Sequence, residues 1–170
     1  MANRKIVVVG SSNTDMIIKA PRIPKLGETV LGGHFSMAAG GKGANQAVAA
    51  ARAGGEVVFI ARVGNDFFGE RAVKSFNADR IDSSLITKDK EMPSGIALVF
   101  VGEEGQNSIA VAAGANARLS RREIEKSERV GRPPPFFVPK GGLVRMSSAL
   151  PIRSPSGASV SPLSTMLSMP

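Results

Sequence analysis

The sequence predicts an α/β protein with a parallel sheet flanked by helices and a separate small β flap. Three observations predict it. Ile6-Val-Val-Val9 and the run from Val57 to Arg62 are short, continuously apolar segments of the kind that form strands buried on both faces. A helix-like stretch, Lys42 to Ala53, whose alanine-rich run after Gly43 has neither Pro nor Gly, lies between them and has the length of a crossover helix. Two further pairs of strand-like segments do not fit a plain doubly wound sheet and suggest the flap.

In chain order the elements read as follows. Ile6–Val9 is the first buried strand. Asp15 to Lys19 and Thr29 to Phe35 look like strands joined through a loop that carries Pro21, Pro24 and Gly27. Gly40-Gly41 turns the backbone into the helix from Lys42 to Ala53, which Gly54-Gly55 closes. After the strand at 57–62, Asp66 can cap a helix from about Phe68 to Ala78. Ser94 to Val101 and Asn107 to Ala112 flank GEEG, a hairpin signal. Ser120 with Glu123 forms a capping box that opens a last helix. No internal repeat is evident.

Composition divides the chain near residue 120. Residues 1–120 carry 14 Lys/Arg and 11 Asp/Glu, a net +3, whereas residues 121–170 carry 8 and 3, a net +5 of the total +8. Eight of the eleven prolines follow residue 130. Pro and Ser at this density, in GRPPPFFVPKGG and SPSGASVSPLS, cannot bury enough apolar surface to offset the entropy of ordering. Residues 131–170 are therefore expected to be irregular, and the joint reads as a frameshift or an alternative end of the gene. Pro133–Pro135 could serve as a polyproline ligand, but an unstructured tail explains it as well. The expected organisation is one globular part over 1–120 and a helix start followed by a Pro/Ser-rich tail over 121–170.

The same numbers exclude several functions. The basic excess lies mostly in the tail, and no basic stripe with interleaved aromatics occurs in the first 120 residues, so nucleic-acid binding is not expected. No segment reaches the ~18–20 apolar residues of a membrane span, and MANRKIVVVG is too short an apolar run for a signal peptide. Without cysteine there is no disulfide framework or cysteine zinc site, which suits a reducing compartment. The expected location is the cytoplasm, with the nucleus also open to such a protein in a eukaryote.

Two short segments could carry chemistry. Around Gly40-Gly41-Lys42-Gly43 the nucleotide motifs fail. Ser36 stands where a Walker A loop needs glycine and Gly43 where it needs Ser or Thr, and Gln46 replaces the third glycine of G-x-G-x-x-G. What remains is a turn feeding a helix, with Lys42 and Asn45 three residues apart on neighbouring positions of one face. Backbone N–H groups, a cation and an amide at a helix start suit an oxygen-rich ligand, although spacing alone is met equally by a tight turn. Asn offers donor and acceptor and Lys donors only, which matches a polyhydroxylated ligand. The second segment is Gly10-Ser-Ser-Asn-Thr-Asp15, just beyond the first strand, where ligands of open α/β sheets bind. Alternation puts Asn13 and Asp15 on one side. Read alone, they fit a turn with an Asx hydrogen bond better. His34 is the single histidine, Asp66 reads as a helix cap, and Glu103 and Glu104 as a solvated hairpin tip. No His/Asp/Glu cluster has metal-ligand spacing.

Taken together, VVVGSSNTDMI (7–17), PKLGETVLG (24–32), GGKGANQAVAAARAGG (40–55), VGNDFFGE (63–70) and SGIALVFVGEEGQNSIAVAAGANARLS (94–120) resemble the ribokinase group of the PfkB carbohydrate-kinase family, without a gap over 5–120. The resemblance implies a ribokinase-like parallel sheet flanked by helices, with a β lid that closes on the sugar and pairs subunits. It also implies ATP-dependent phosphorylation of the 5-hydroxyl of D-ribose, with Mg2+ and a monovalent cation such as K+. On this resemblance Asn13 and Asp15 grip ribose hydroxyls, Gly41, Lys42 and Asn45 complete the cradle, and Ile96 to Leu98 lie across the sugar from the lid. The family's catalytic aspartate belongs to a GAGD motif that this sequence does not contain. No base, nucleotide pocket or cation site can therefore be assigned here, nor can a family glutamate expected near residue 140. The chain is accordingly expected to be a truncated version of the fold. Phosphoryl transfer rests on positioning and charge stabilisation at the transferred group, so the chain is expected to be inactive alone. Binding ribose, capping a full-length subunit through the lid, or being the product of a damaged gene remain open.

Overall fold

The computed structural model describes residues 6–129, with side chains described as far as 125. Its core is a pair of parallel strands, β1 (Ile6–Val9) and β4 (Val57–Ile60), in register from Ile6↔Val57 to Val9↔Ile60. Between them the chain makes β2 (Asn13–Lys19), β3 (His34–Gly40) and α1 (Lys42–Arg52). Alternation sorts the core side chains. Val8, Val57 and Phe59 face Ala44 and Ala47 of α1 and Phe76 of α2 (Phe67–Ala78), with the Phe59 and Phe76 rings meeting edge-on at 5.1 Å. Val7, Val9, Val58 and Ile60 face the other way, onto Leu85, Leu119 and Ile124. Both faces of the pair are thus covered within the described residues, as parallel strands require. Each of these buried aliphatic or aromatic side chains contributes about 1.5–3 kcal/mol through removal from water.

The elements largely follow the sequence. α1 keeps its small residues inward, and its end is closed by the Gly54 and Gly55 N–H groups bonding to the carbonyls of Ala51 and Ala50. Asp66 caps α2 as expected, its carboxylate accepting the Gly69 N–H at 2.8 Å. The last helix, α3 (Arg121–Arg129), begins after Ser120, whose N–H donates to the Glu123 carboxylate at 2.8 Å. The Ser120 hydroxyl donates to that carboxylate too, and the Glu123 N–H goes to the Ser120 carbonyl, so only one arm of the capping box is formed. No helix among the described residues is long and apolar enough to cross a membrane. The expectation of an irregular 131–170 lies outside the described residues.

Three readings change. The second flap strand runs over 34–40, not 29–35. Residues 28–33 belong to the connecting loop, where Glu28 is held by Arg22 and by the Lys25 N–H. The Ala38-Ala39-Gly40 end has low intrinsic strand preference and becomes strand because β2 pairs with all of it. Second, the two hairpin signals form the single flap expected of them, and the change lies in where Ile96 to Leu98 fall. β7 (Gly95–Val101) pairs in parallel with β2, and β8 (Asn107–Ala112) closes the far edge, giving the order β3-β2-β7-β8. Ile96 to Leu98 therefore lie inside this flap, beside β2, not across from it. Third, the run 57–62 breaks at Ala61. Its end, β5 (Arg62–Gly64), pairs with β6 (Thr87–Asp89), a polar strand without apolar alternation.

β6 is fixed by charge instead. Asp89, its side chain 2% exposed, accepts Arg62 Nε at 2.8 Å, Arg118 Nη1 at 3.3 Å, and the N–H groups of Glu91 and Met92 at 2.9 and 3.1 Å. Arg62 also pairs with Glu123, so β5, β6, α3 and the 3-10 turn η1 (Gly114–Arg118) share one network. The Glu91 N–H and the other donors outweigh burial and hold the Asp89 carboxyl down at about 2, against 3.8 unperturbed. A depressed carboxyl stabilises the fold above its unfolded value and loses that contribution as pH falls through the folded one. The melting temperature of Asp89→Asn is therefore expected to lie below wild type at pH 7. The gap should narrow between pH 4 and pH 2, as read by thermal denaturation across that range.

Candidate sugar site

The end of β3 and the start of α1 lie against the start of β2. Asn13 is paired with Gly40 on one side and with Gly95 on the other, and Asp15 with Ala38 and Ala97. Directly paired residues share a face, so Asn13 and Asp15 rise from a floor of Gly40, Ala38, Gly95 and Ala97. A floor this low leaves a shallow basin around two polar side chains. The Asp15 carboxyl lies over Gly40, where an added Cβ would come within 2.2–2.3 Å of all three of its outer atoms. The Asp15 carboxyl makes no hydrogen bond among the described residues, and burial without a compensating partner raises its pKa above the ordinary 3.8.

Gly41 then turns the chain into α1 with φ 95°. A Cβ there would stand 2.7 Å from the Ser11 carbonyl oxygen and 2.9 Å from the Asn13 nitrogen, so only glycine allows both the turn and the approach. The contact is sealed by the Ala44 N–H donating to the Ser11 carbonyl at 3.0 Å and the Asn45 N–H to that of Gly41 at 2.9 Å. Lys42 and Asn45 are both exposed on the first turn of α1. They lie one and four residues beyond the turn packed on Asn13. No hydrogen bond or ion pair joins either to Asn13 or Asp15 within the described residues. The two expected segments are thus brought together by backbone packing.

One residue escaped the sequence reading. Asn116, in η1, hydrogen bonds to both backbone groups of Ser12 and to the side chain of Asn13. The separation of 103 residues between Asn116 and Asn13 hides this contact from any local pattern. The remaining polar candidates behave as read: Glu103 and Glu104 are exposed at the β7–β8 turn, and Asp66 is structural. Asp66 also takes the N–H and hydroxyl of Ser94, both at 2.7 Å, fastening the root of β7 to the start of α2. Burial pushes the Asp66 carboxyl up, but its bonds from Ser94 and Gly69 outweigh it and the net displacement is downward. Among the described residues no three His, Cys, Asp or Glu side chains gather closely enough to hold a metal ion.

Two polar side chains over a floor of glycine and alanine, where the α/β core meets the β flap, make up the candidate site, and comparison with known proteins gives the class. A profile for the "pfkB family carbohydrate kinase" matches residues 3–138, and the chain belongs to that family of transferases. It is 41% identical over 125 residues to the ribokinase of Haemophilus influenzae, covering 74% of this chain and 41% of that protein. It is 37% identical over 122 residues to the deoxyribokinase of Salmonella typhi, covering 72% of this chain and 40% of the other. Among solved structures, the Arabidopsis thaliana ribokinase complexed with ribose and ATP superposes with a TM-score of 0.62 at 32% identity, over 74% of this chain and 42% of that one. The chain spans about two fifths of the length of the relatives it matches.

The Gly41 turn can be tested without a ligand. Gly41→Ala forces a side chain into a left-handed turn and against two backbone atoms, and is expected to cost about 1–3 kcal/mol. Urea denaturation should show it as a lower midpoint with an unchanged slope.

Proposed function

We propose that this chain is the pentose-holding part of a ribose kinase. The observation that carries the reading is the unpartnered Asp15 carboxyl beside Asn13 on a floor of glycine and alanine, with Lys42 and Asn45 exposed on the first turn of the helix that follows that floor. A carboxylate that has lost water and gained no donor favours a ligand that supplies hydroxyl protons. Asn13 and Lys42 supply the complementary donors, and Asn45 can give or accept. Gly41 brings the backbone close. Such a set suits a neutral polyol, with discrimination arising because a missing hydroxyl leaves a protein group unpaired. The likeness to ribokinases and to a deoxyribokinase supports a pentose.

In a complete enzyme this cradle holds the sugar with its 5-hydroxyl presented to the γ-phosphate of ATP, as the family likeness and the ribose- and ATP-bound Arabidopsis structure support. The chemistry of transfer needs a base, an anion-stabilising site and a nucleotide, and this sequence has neither the GAGD motif nor a Walker motif. No residue described here is assigned to ATP, Mg2+ or K+. The polypeptide alone therefore binds and orients sugar without phosphorylating it. The flap exposes large apolar side chains, with Phe35 62% and Leu98 47% accessible on one face and Ile109 54% and Val111 60% on the other. Exposed strands of this kind support pairing with a second subunit, either another copy or a full-length kinase. The cytoplasm is the compartment that fits a ribose kinase.

Calorimetric titration of the full chain with D-ribose is expected to give saturable binding, weakened at least tenfold in Asp15→Asn. Absence of binding would reject the sugar site. Affinity should fall on acidification as Asp15 protonates, at a pH higher than for an unperturbed aspartate, because the ionised carboxylate is the stronger acceptor of hydroxyl protons. In a coupled ADP-release assay with ribose and Mg-ATP, the chain should not exceed the no-protein control, and turnover above it would refute the inactivity.

A further inference from the structure

The Asn116 side chain is committed on both sides. Its Oδ1 accepts the Ser12 N–H at 2.9 Å, and its Nδ2 faces three oxygens: Asn13 Oδ1 at 2.8 Å, the Ala113 carbonyl at 3.0 Å and the Ser12 carbonyl at 3.1 Å. Turning the amide over would set oxygen against three oxygens and NH2 against an N–H. The backbone therefore dictates which end points where. The turn carrying Asn116 is itself anchored, since Ala115 is fully buried and its N–H donates to the Pro93 carbonyl at 2.8 Å. Ser12, the residue gripped, is 3% exposed.

This commitment propagates one residue further. Asn13 Oδ1 is occupied by the Asn116 NH2 and sits over Gly95, where an added Cβ would be 2.3 Å from it. Flipping the Asn13 amide would bring two NH2 groups together. Its Nδ2 makes no other hydrogen bond among the described residues. An asparagine that in isolation could turn either end outward is thereby held with its oxygen toward Asn116 and its NH2 free, two residues from the Asp15 acceptor on the same face.

We propose that Asn116 is a positioning residue that locks the Asn13 amide, so that only its NH2 is offered to the ligand. The consequence for sugar recognition rests on the pentose reading above; the lock itself does not. One hydroxyl can then accept from the Asn13 NH2 while a hydroxyl donates to Asp15.

The test uses the full chain with Asn116→Ala, Asn13→Ala and the double variant, plus Asn116→Ser, which keeps one hydrogen-bonding group, should the alanine variant not fold. Two quantities are read: the Asn13 side-chain NH2 signals in nitrogen-15 NMR, assigned by their loss in Asn13→Ala, and the calorimetric affinity for D-ribose. The lock predicts a distinct Asn13 NH2 pair in wild type that shifts or averages when Asn116 is replaced. It predicts that each single variant binds ribose about tenfold more weakly, the worth of one hydrogen bond. The double variant should then be no weaker than Asn13→Ala, because Asn116 acts through Asn13. Asn13 signals unchanged in the Asn116 variants would overturn the proposal, as would losses that multiply to about a hundredfold in the double variant. If wild type binds no ribose while the Asn13 signals still depend on Asn116, the lock stands and the sugar reading falls.

Discussion

The structure depends on the close approach of the Gly40-Gly41 backbone to the start of β2. An added Cβ on Gly41 would lie 2.7 Å from a Ser11 backbone atom, and one on Gly40 would lie inside the Asp15 carboxyl. That approach ends the β flap, starts the crossover helix and seats the polar residues of β2 beside the first turn of α1. It couples two otherwise separate structures, the β1/β4 core and the four-stranded flap. The Ala44 N–H bond to Ser11 reinforces it, and the Asp66–Ser94 bonds tie the flap's second root, β7, to α2.

The two halves are stabilised differently. β1 and β4 are buried almost completely, with side chains on both faces in contact with helices or with Leu85, Leu119 and Ile124. Exposed large apolar side chains are not found on those strands. Several lie on the flap, where all of β8 and nearly all of β3 are exposed. Such a sheet holds together through its ladders more than through a core.

Legibility followed the physics of each element. The buried strands, α1 and the Asp66 cap were readable because apolar runs, an alanine-rich window and a capping carboxylate act locally. β3 was misplaced because Thr29-Val30-Leu31 has more strand character than Ala38-Ala39-Gly40, and pairing with β2 overrode that preference. β6 was invisible because three polar residues are held by Arg62 and its neighbours instead of by alternation. At the site, Asn13, Asp15, Gly41, Lys42 and Asn45 were all marked by residue type and spacing. Asn116 was not, since nothing within a few residues of it distinguishes it from an ordinary turn asparagine.

By itself the sequence determined the family and the α/β class, and it nominated the polar residues of the site, because motif chemistry and periodicity are properties of short segments. Only the tertiary structure decided the strand order of the flap, that the Asp15 carboxyl lies over Gly40, and that Asn116 sets the orientation of the Asn13 amide. Those facts depend on contacts between residues as far apart as 13 and 116, and chain closure over such distances is fixed by packing and hydrogen bonding, not by local preference.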